Sequence, residues 1–400
     1  MMPRPYTLMM SDLLDAAREL APDLIDDRRA IHRRPELAYR EHATAERVAG
    51  RLAALGIEHR TGVAETGVVG LIEGGRPGRT VLLRADMDAL PIQEEASTPY
   101  TSEHPGVMHA CGHDAHTAML LGAARLLLER RDGLTGCVKL MFQPAEEGGA
   151  GAQRMIEEGL LQHPDVDAAF MLHVSHAHPV GQIATAGGPM AAGASSFEIT
   201  IDGRGGHASR PHLAIDPVVA AAQVVTALQT LVSREVAPDD SAVLTIGRLA
   251  AGTAGNVIPD QAVLEGTIRA YGDDLMERLR SRLEETVDGV ARALRAEARV
   301  TYSMQYPPTV NDAAMAELAA GAARSVLGPA AVLAAEPIFA AEDFSFVLQR
   351  VPGAMLRLGV RSPDWPEDRP VHTPRFDLDE AALPIGAACL AGAALEFLSG

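Results

Sequence analysis

The densest group of potential metal ligands in this sequence is the segment HACGHDAH at residues 109–116. It supplies a thiol, three imidazoles and a carboxylate, and Gly112 permits a turn that lets Cys111 and His113 point toward one centre. Thiolate and imidazole ligands suit zinc and its neighbours among the transition metals. The segment therefore predicts a metal site, although its spacing leaves open which histidines bind. The alternative interpretation is a polar loop around a core cysteine.

Two pairs of carboxylates follow apolar runs. Glu146 and Glu147 come after the run that ends at Phe142, and Asp86 and Asp88 end another such run. In the first pair, one carboxylate is suited to bind a metal and its neighbour to move a proton. The second pair shares one side of its strand and could bind metal or orient a histidine. A solvated acidic turn and a helix N-cap are the simpler interpretations.

Further histidines occur in loops and at strand ends. His173 ends an apolar run and is closely followed by His176 and His178, while His372 lies in a proline-bounded loop. Taken singly, each of these is more typical of a structural residue than of a ligand.

Three other polar residues lie in or beside glycine-rich segments later in the chain. His207, Asn256 and Arg269 carry groups that bind a carboxylate or stabilise an oxyanion. Their isolated positions in the sequence also fit purely structural roles.

The elements that must position these side chains alternate between strand and helix. Apolar spacing predicts helices near residues 41–55, 115–131 and 152–159, and strands near residues 67–72, 80–84, 138–142 and 168–173. This order predicts an α/β domain with a mostly parallel sheet. Functional side chains gather beyond the carboxyl ends of strands in such sheets. The residues in that position are Asp86, Asp88, Glu146, Glu147 and His173.

The pattern changes after Gly187, where a β-α-β-β-α order begins. This order predicts a smaller α+β domain of ferredoxin-like type, inserted at residues 188–302. Residues 1–187 and 303–400 would then form the catalytic domain.

Length and composition restrict the class of protein. The chain of 400 residues is long enough for two domains, and its formal net charge of -18 argues against nucleic acid and membrane partners. Its three cysteines are too few for a disulfide framework. The N-terminus lacks the pattern of a secretory signal, and no uncharged apolar run approaches about 18 residues. We therefore expect a cytoplasmic protein without a membrane helix.

Together these segments resemble the amidohydrolase branch of the zinc aminopeptidase and aminoacylase-type metallopeptidases. That branch includes hippurate hydrolases, N-acyl-amino-acid amidohydrolases and auxin-conjugate hydrolases. The motifs HACGHDAH, QPAEEGGAGA, GGHAS and NVIPD occur in the expected order. The similarity extends over nearly the whole chain, from HRRPEL at residue 32 to VHTP at residue 371.

The resemblance implies two divalent metal ions per subunit, with Zn, Mn, Co or Ni as candidates. Cys111 would bridge the two ions. His113 and His173 would complete one metal site, and Glu147 and His372 the other.

The resemblance also implies roles for the remaining candidates. Glu146 would be the general base, and His207 would polarise the scissile carbonyl, often across a dimer interface. Asn256 and Arg269 would hold the substrate carboxylate. Asp86 would replace a metal-binding histidine of peptidase relatives, and Asp88 would support a ligand.

The function implied is hydrolysis of the amide bond of small-molecule N-acyl-L-amino acids by a homodimer or a dimer-based tetramer. The alternatives are a dipeptidase or carboxypeptidase of the same superfamily, and a metal-binding protein without catalysis. One stretch departs from many relatives, because VSHAHP at residues 174–179 replaces an aromatic, proline-rich segment. This departure leaves the acyl preference open and raises the possibility that His176 or His178 competes for metal.

Overall fold

The computed structural model describes Met10 and residues 12–400, which divide into two compact units. The first unit comprises the described residues up to Met190, together with Val310–Glu336 and Phe346–Gly400. The second unit comprises Ala191–Thr309 and Pro337–Ser345. The second unit thus runs past residue 302, where we expected it to end, because the strand Glu297–Tyr306 continues beyond that point.

The first unit is built on an eight-stranded sheet that is parallel at its centre. The strand Arg76–Asp86 pairs in parallel with both of its neighbours, and Ala168–Pro179 pairs in parallel with Gly353–Arg361. Antiparallel pairs flank this centre, so the sheet is mixed where the sequence predicted a mostly parallel one. The strands, in order across the sheet, are Glu58–Val63, Gly67–Glu73, Thr135–Gln143, Arg76–Asp86, Ala168–Pro179, Gly353–Arg361, Ile183–Thr185 and Val332–Ala334.

Two buried helices form the centre of the hydrophobic core of this unit. His113–Leu128 and Ala382–Ser399 pack against each other and are apolar on nearly all sides, as expected for helices with no solvent face. Among the described helices, Ala382–Ser399 alone has the length and hydropathy of a membrane span, yet 83% of it is buried inside the protein, as in a core helix. The other α-helices of the unit are Leu13–Glu19, Ala21–Arg33, His42–Ala54, Glu146–Gly149, Gly151–Glu157 and Ala313–Leu327. Ser345–Leu348 is a single turn where the chain re-enters the first unit.

The second unit is a four-stranded antiparallel sheet packed against two helices. The strands, in order across the sheet, are Ala242–Ala251, Gln261–Ala270, Gly193–Asp202 and Glu297–Tyr306. The helices are Pro217–Thr230, followed by a π-helical turn at Leu231–Glu235, and Asp273–Ala293. The observed order is β-α-β-β-α-β, because Glu297–Tyr306 adds a strand that the sequence pattern did not predict.

Short elements complete the description. Two-stranded sheets join Gly206–His207 to Val257–Ile258, and Gly188–Ala191 to Thr309–Asn311. Single 3₁₀ turns occur at Arg131–Gly133, Pro211–Leu213 and Pro329–Ala331.

Candidate metal centre

The parallel centre of the sheet brings the predicted ligands of the first unit to one edge. Donor atoms fall into overlapping groups, and within each group all atoms lie within 4.8 Å of one another. Cys111 is shared by two of these groups, one completed by His113 and His173 and the other by Glu147 and His372. These two triads have the composition that the resemblance implies for two metal ions bridged by a thiolate.

Cys111 is placed by a tight turn at the start of a buried helix. Gly112 adopts a φ of 86°, and an added Cβ there would lie 2.6 Å from the side chain of Val174. The helix begins at His113, directly after this turn. The Cys111 Sγ lies 3.6 Å from His173 Nε2. Burial raises the pKa of the Cys111 thiol, so in the absence of a cation the neutral form is favoured.

His113 has the hydrogen-bonding pattern of a metal-binding imidazole. Its Nδ1–H donates to Asp88 Oδ1 at 3.2 Å, which leaves the lone pair on Nε2. Nε2 is buried and has no hydrogen-bond partner among the described residues. A buried acceptor of this kind is costly unless something binds it, and a divalent cation fits that requirement.

His173 is oriented in a similar way by the backbone. Its Nδ1–H donates to the Val174 carbonyl at 2.7 Å, so the unprotonated Nε2 faces Cys111. Burial, with a contribution from the nearby His116, lowers the pKa of His173 well below its usual value. The neutral imidazole is the form that binds metals.

His116 and His109 lie in the same segment as the ligands but do not share their pattern. His116 is fully engaged, since Nδ1–H donates to Asp86 Oδ1 at 2.6 Å and Nε2 accepts the Val174 N–H at 2.9 Å. Both ring nitrogens of His109 are buried without a hydrogen-bond partner among the described residues, and burial lowers its pKa to about 4. His109 belongs to none of the donor groups.

Asp86 and Asp88 orient two of the histidines by hydrogen bonds to their ring nitrogens. Burial of Asp86 would raise its pKa, but Arg84 and His113 outweigh this effect and hold the pKa well below its usual value. Arg84 donates to Asp86 Oδ2 at 2.7 Å. Asp88 accepts from His113 through one oxygen and from the Glu147 N–H through the other, at 2.9 Å. Asp88 therefore links the two donor triads.

Glu147 and His372 face each other across the second triad. Glu147 Oε1 lies 3.0 Å from His372 Nε2, yet this oxygen has no aligned hydrogen bond among the described residues. Two ligands that converge on one ion have this relation. The nearby Cys111 and Glu147 raise the pKa of His372 to about 10. The backbone N–H of His372 donates to the Ala110 carbonyl.

Glu146 is buried beside these ligands, in a donor group with His113 and Glu147. It follows Ala145, which has a left-handed backbone with φ of 54° and ψ of 46°. This turn brings a carboxylate oxygen of Glu146 and one of Glu147 into the same donor group as His113, within 4.8 Å of one another.

The remaining predicted residues lie in the second unit. His207 accepts the Ser209 N–H at Nδ1, at 3.1 Å, so the neutral ring carries its proton on Nε2 and can donate it. Asn256 is joined to the same short sheet through its carbonyl, which accepts the Ala208 N–H. The side chain of Arg269 is half-buried and has no ion-pair or hydrogen-bond partner in the described chain, and burial lowers its pKa.

His176 and His178 belong to none of the donor groups found among the described residues, so the geometry gives no support to competition for metal. Sequence reasoning also missed Arg84, the buried cation that neutralises Asp86. The available signal was a charged residue within the apolar run Val81-Leu-Leu-Arg84, because such a residue is buried only with a partner.

A shared thiol, the buried and unpartnered Nε2 of His113, and an adjacent carboxylate are what the centre of a metal-dependent hydrolase requires. Residues 82–396 match the family model described as peptidase family M20/M25/M40. The chain belongs to this family, whose members hydrolyse amide bonds, and it is a metal-dependent amidohydrolase.

Individual relatives cover nearly the full chain. An Arabidopsis thaliana protein named IAA-amino acid hydrolase ILR1-like 4 is 41% identical over 94% of this chain and 86% of its own length. The Bacillus subtilis N-acetyl-L-cysteine deacetylase is 40% identical over 95% of this chain and 91% of its own. Thermostable carboxypeptidase 2 of Saccharolobus solfataricus is 39% identical, over 97% and 99%.

A solved structure shows the same fold. The Bacillus subtilis YXEP protein, described as a dinuclear metal binding peptidase from the M20 family, superposes with a TM-score of 0.83. It is 35% identical and is matched over 96% of this chain and 99% of that chain.

Proposed function

We propose that this enzyme hydrolyses the amide bond of N-acyl-L-amino acids at a centre that holds two divalent ions. The observation that carries the proposal is the sharing of Cys111 between two donor triads, with Glu146 beside them. Zn, Mn, Co and Ni all suit a set of thiolate, imidazole and carboxylate ligands.

Glu146 is proposed as the proton carrier. Two bound cations would polarise the scissile carbonyl and lower the pKa of the attacking water. Glu146 would accept a proton from this water and return it to the leaving amine. Its neighbour Glu147 would remain engaged as a ligand opposite His372.

The second unit carries three further residues to which the resemblance assigns substrate recognition. His207 carries a donor proton on Nε2 and suits an oxyanion that develops from the carbonyl. The guanidinium of Arg269, half-buried and without a described partner, suits the substrate carboxylate, and Asn256 would assist it.

The role of Glu146 is tested by Glu146→Gln. We expect this variant to keep both metal ions, because Glu146 belongs to neither of the two triads. Its kcat should fall by about 100-fold or more. Glu157→Gln, an exposed change on the next helix, is the matched control. Near-normal turnover of metal-loaded Glu146→Gln would refute the assignment.

The second candidate function is a carboxypeptidase or dipeptidase, which the carboxypeptidase relative favours. Hippurate, N-acetyl amino acids and dipeptides, compared in one assay with each metal supplied, separate the two functions. Preference for substrates with a free α-amino group would favour the second candidate. A lack of turnover on the whole panel would support a non-catalytic metal-binding protein.

We also propose that the second unit mediates a homodimer or dimer-based tetramer in the cytoplasm. Ala242–Ala251 is an edge strand with Val243 and Leu249 exposed, and Val218 and Val219 are exposed on the helix Pro217–Thr230. Exposed apolar side chains beside an open strand edge are typical of a pairing surface. Sedimentation as a monomer at micromolar concentration would contradict this proposal.

A further inference from the structure

The segment Glu36–Glu41 lies against two loops of the centre: the first follows Asp88, and the second carries Glu146 and Glu147. Its backbone meets the first loop, where the Glu36 carbonyl accepts the Ala89 N–H at 2.8 Å. Leu37 forms an isolated parallel bridge with Ala89, one residue beyond Asp88. We call this segment the brace.

The side chain of Glu41, at the end of the brace, contacts the second loop. Glu41 Oε1 accepts the Ala145 N–H at 2.9 Å and the Tyr39 N–H at 3.0 Å. The other oxygen, Oε2, accepts the hydroxyl of Thr66. Glu41 is fully buried, so each of these donors is bound to a carboxylate that water does not reach.

The loop that Glu41 contacts requires an external constraint. Ala145 and Ala150 both have a φ of 54°, a left-handed conformation that L-residues other than glycine seldom adopt. Between them, the Gly149 carbonyl accepts the Tyr39 hydroxyl at 2.6 Å. An added Cβ on Gly149 would lie 2.6 Å from the Ala145 Cβ and 3.2 Å from the Tyr39 ring, so this contact leaves no space for a side chain.

We propose that Glu41 is a positioning residue that acts on catalysis through the Ala145 amide, with Tyr39 as its assistant at Gly149. The bond to Ala145 holds the left-handed turn and so fixes the directions in which Glu146 and Glu147 leave the backbone. The catalytic part of this inference depends on the proposed role of Glu146. Its structural part, the fixing of the turn, does not.

The test compares Glu41→Ala with Glu36→Ala. Both wild-type side chains lie near the start of the helix His42–Ala54, and each accepts three hydrogen bonds. The donors to Glu36 are in Ala43 and Thr44, within the helix itself, and none is in the loop that carries Glu146. We expect a fall in kcat of about 10- to 100-fold for Glu41→Ala with KM within about twofold, since misplacement by about 1 Å has effects of this size. Glu36→Ala should retain near-normal kcat.

Glu41→Gln is the conservative rescue. Its amide oxygen can accept both N–H groups while its NH₂ donates to the Thr66 hydroxyl, so we expect near-normal kcat. Tyr39→Phe, which removes one hydroxyl from a part-buried residue, provides a second variant if Glu41→Ala fails to fold. It should lower kcat severalfold with little change in KM.

The stability of the left-handed turn can also be measured directly, without an assay of turnover. Hydrogen–deuterium exchange of the metal-free protein should show faster exchange of the peptide that contains residues 145–149 in Glu41→Ala, and no change there in Glu36→Ala. Unchanged protection in folded Glu41→Ala, or in Tyr39→Phe if that variant replaces it, would overturn the structural part.

A double-mutant cycle tests the path of the effect. If Glu41 acts through Glu146, Glu41→Ala should lower kcat little further in the Glu146→Gln background. The same fold-loss in both backgrounds would overturn the catalytic part while leaving the general base in place. Wild-type turnover of Glu146→Gln itself would refute the base, and the exchange result would then decide the structural part alone.

Discussion

Asp88→Asn should weaken metal binding although Asp88 touches no metal in the proposed centre. One oxygen of Asp88 accepts His113 Nδ1–H, and the other accepts the Glu147 N–H. Asparagine is nearly the same size but offers only one acceptor oxygen beside an NH₂ donor. Either His113 Nδ1 or the Glu147 N–H would therefore face the NH₂ group of asparagine.

Either orientation of the amide damages the centre. If the NH₂ faces His113, the ring must shift its proton to Nε2 and so lose the lone pair that would bind metal. If it faces the Glu147 N–H, two donors confront each other without water, at a cost of about 1–3 kcal/mol in the free energy of unfolding. Loss of such a supporting carboxylate typically weakens metal affinity by about 10- to 100-fold, or about 1.4–2.7 kcal/mol.

The assay is competition with a chelator of known affinity, combined with metal analysis after dialysis. Asp167→Asn is the control, because Asp167 also accepts a backbone N–H, from Thr80 at 2.7 Å, in the strand Arg76–Asp86 but away from the donor groups. We expect wild-type metal affinity for the control. Binding by Asp88→Asn within about twofold of wild type would refute the reasoning.

Three further results are expected. Cys111→Ser should lose metal on dialysis, whereas Cys137→Ser, which lies outside the donor groups, should not. Gly149→Ala should lower kcat, because its Cβ would displace the carboxylate turn, and unchanged kcat would contradict the packing argument. Although burial lowers the pKa of His32, Asp114 outweighs it and raises the pKa to about 9. His32 should therefore contribute about 3 kcal/mol to the free energy of unfolding of the metal-free protein, a contribution lost as pH rises from 6.5 through 9, and the decline over this range should be smaller in His32→Asn.

The candidate ligands could be proposed from the sequence because each lies in a local motif or at the end of an apolar strand. The choice between His113 and His116 was not predictable from spacing, since both lie within five residues of Cys111 in the first turns of one helix. Their difference arises from their partners: Asp86 and the Val174 N–H occupy both nitrogens of His116, whereas Asp88 binds only Nδ1 of His113 and leaves its buried Nε2 without a described hydrogen bond.

Long-range contacts account for most of what the sequence did not predict. Glu41 meets Ala145 across 104 residues, and no local pattern encodes such a pairing. The strand Glu297–Tyr306 lies at an edge of its sheet, yet Ala298, Val300 and Tyr302 alternate with polar residues, so a period of two was available in the sequence to predict it. The mixed pairing of the first sheet depends likewise on which strands become neighbours, and periodicity does not report this.

Because Cys111 belongs to both donor triads, we expect the two ions to bind cooperatively. Burial favours the protonated thiol, so the first ion must displace its proton. The second ion then meets a thiolate that is already formed and imidazoles already oriented. Calorimetry in buffers of different ionisation enthalpy should therefore show more proton release for the first equivalent than for the second, and half-loaded protein should be a minor species.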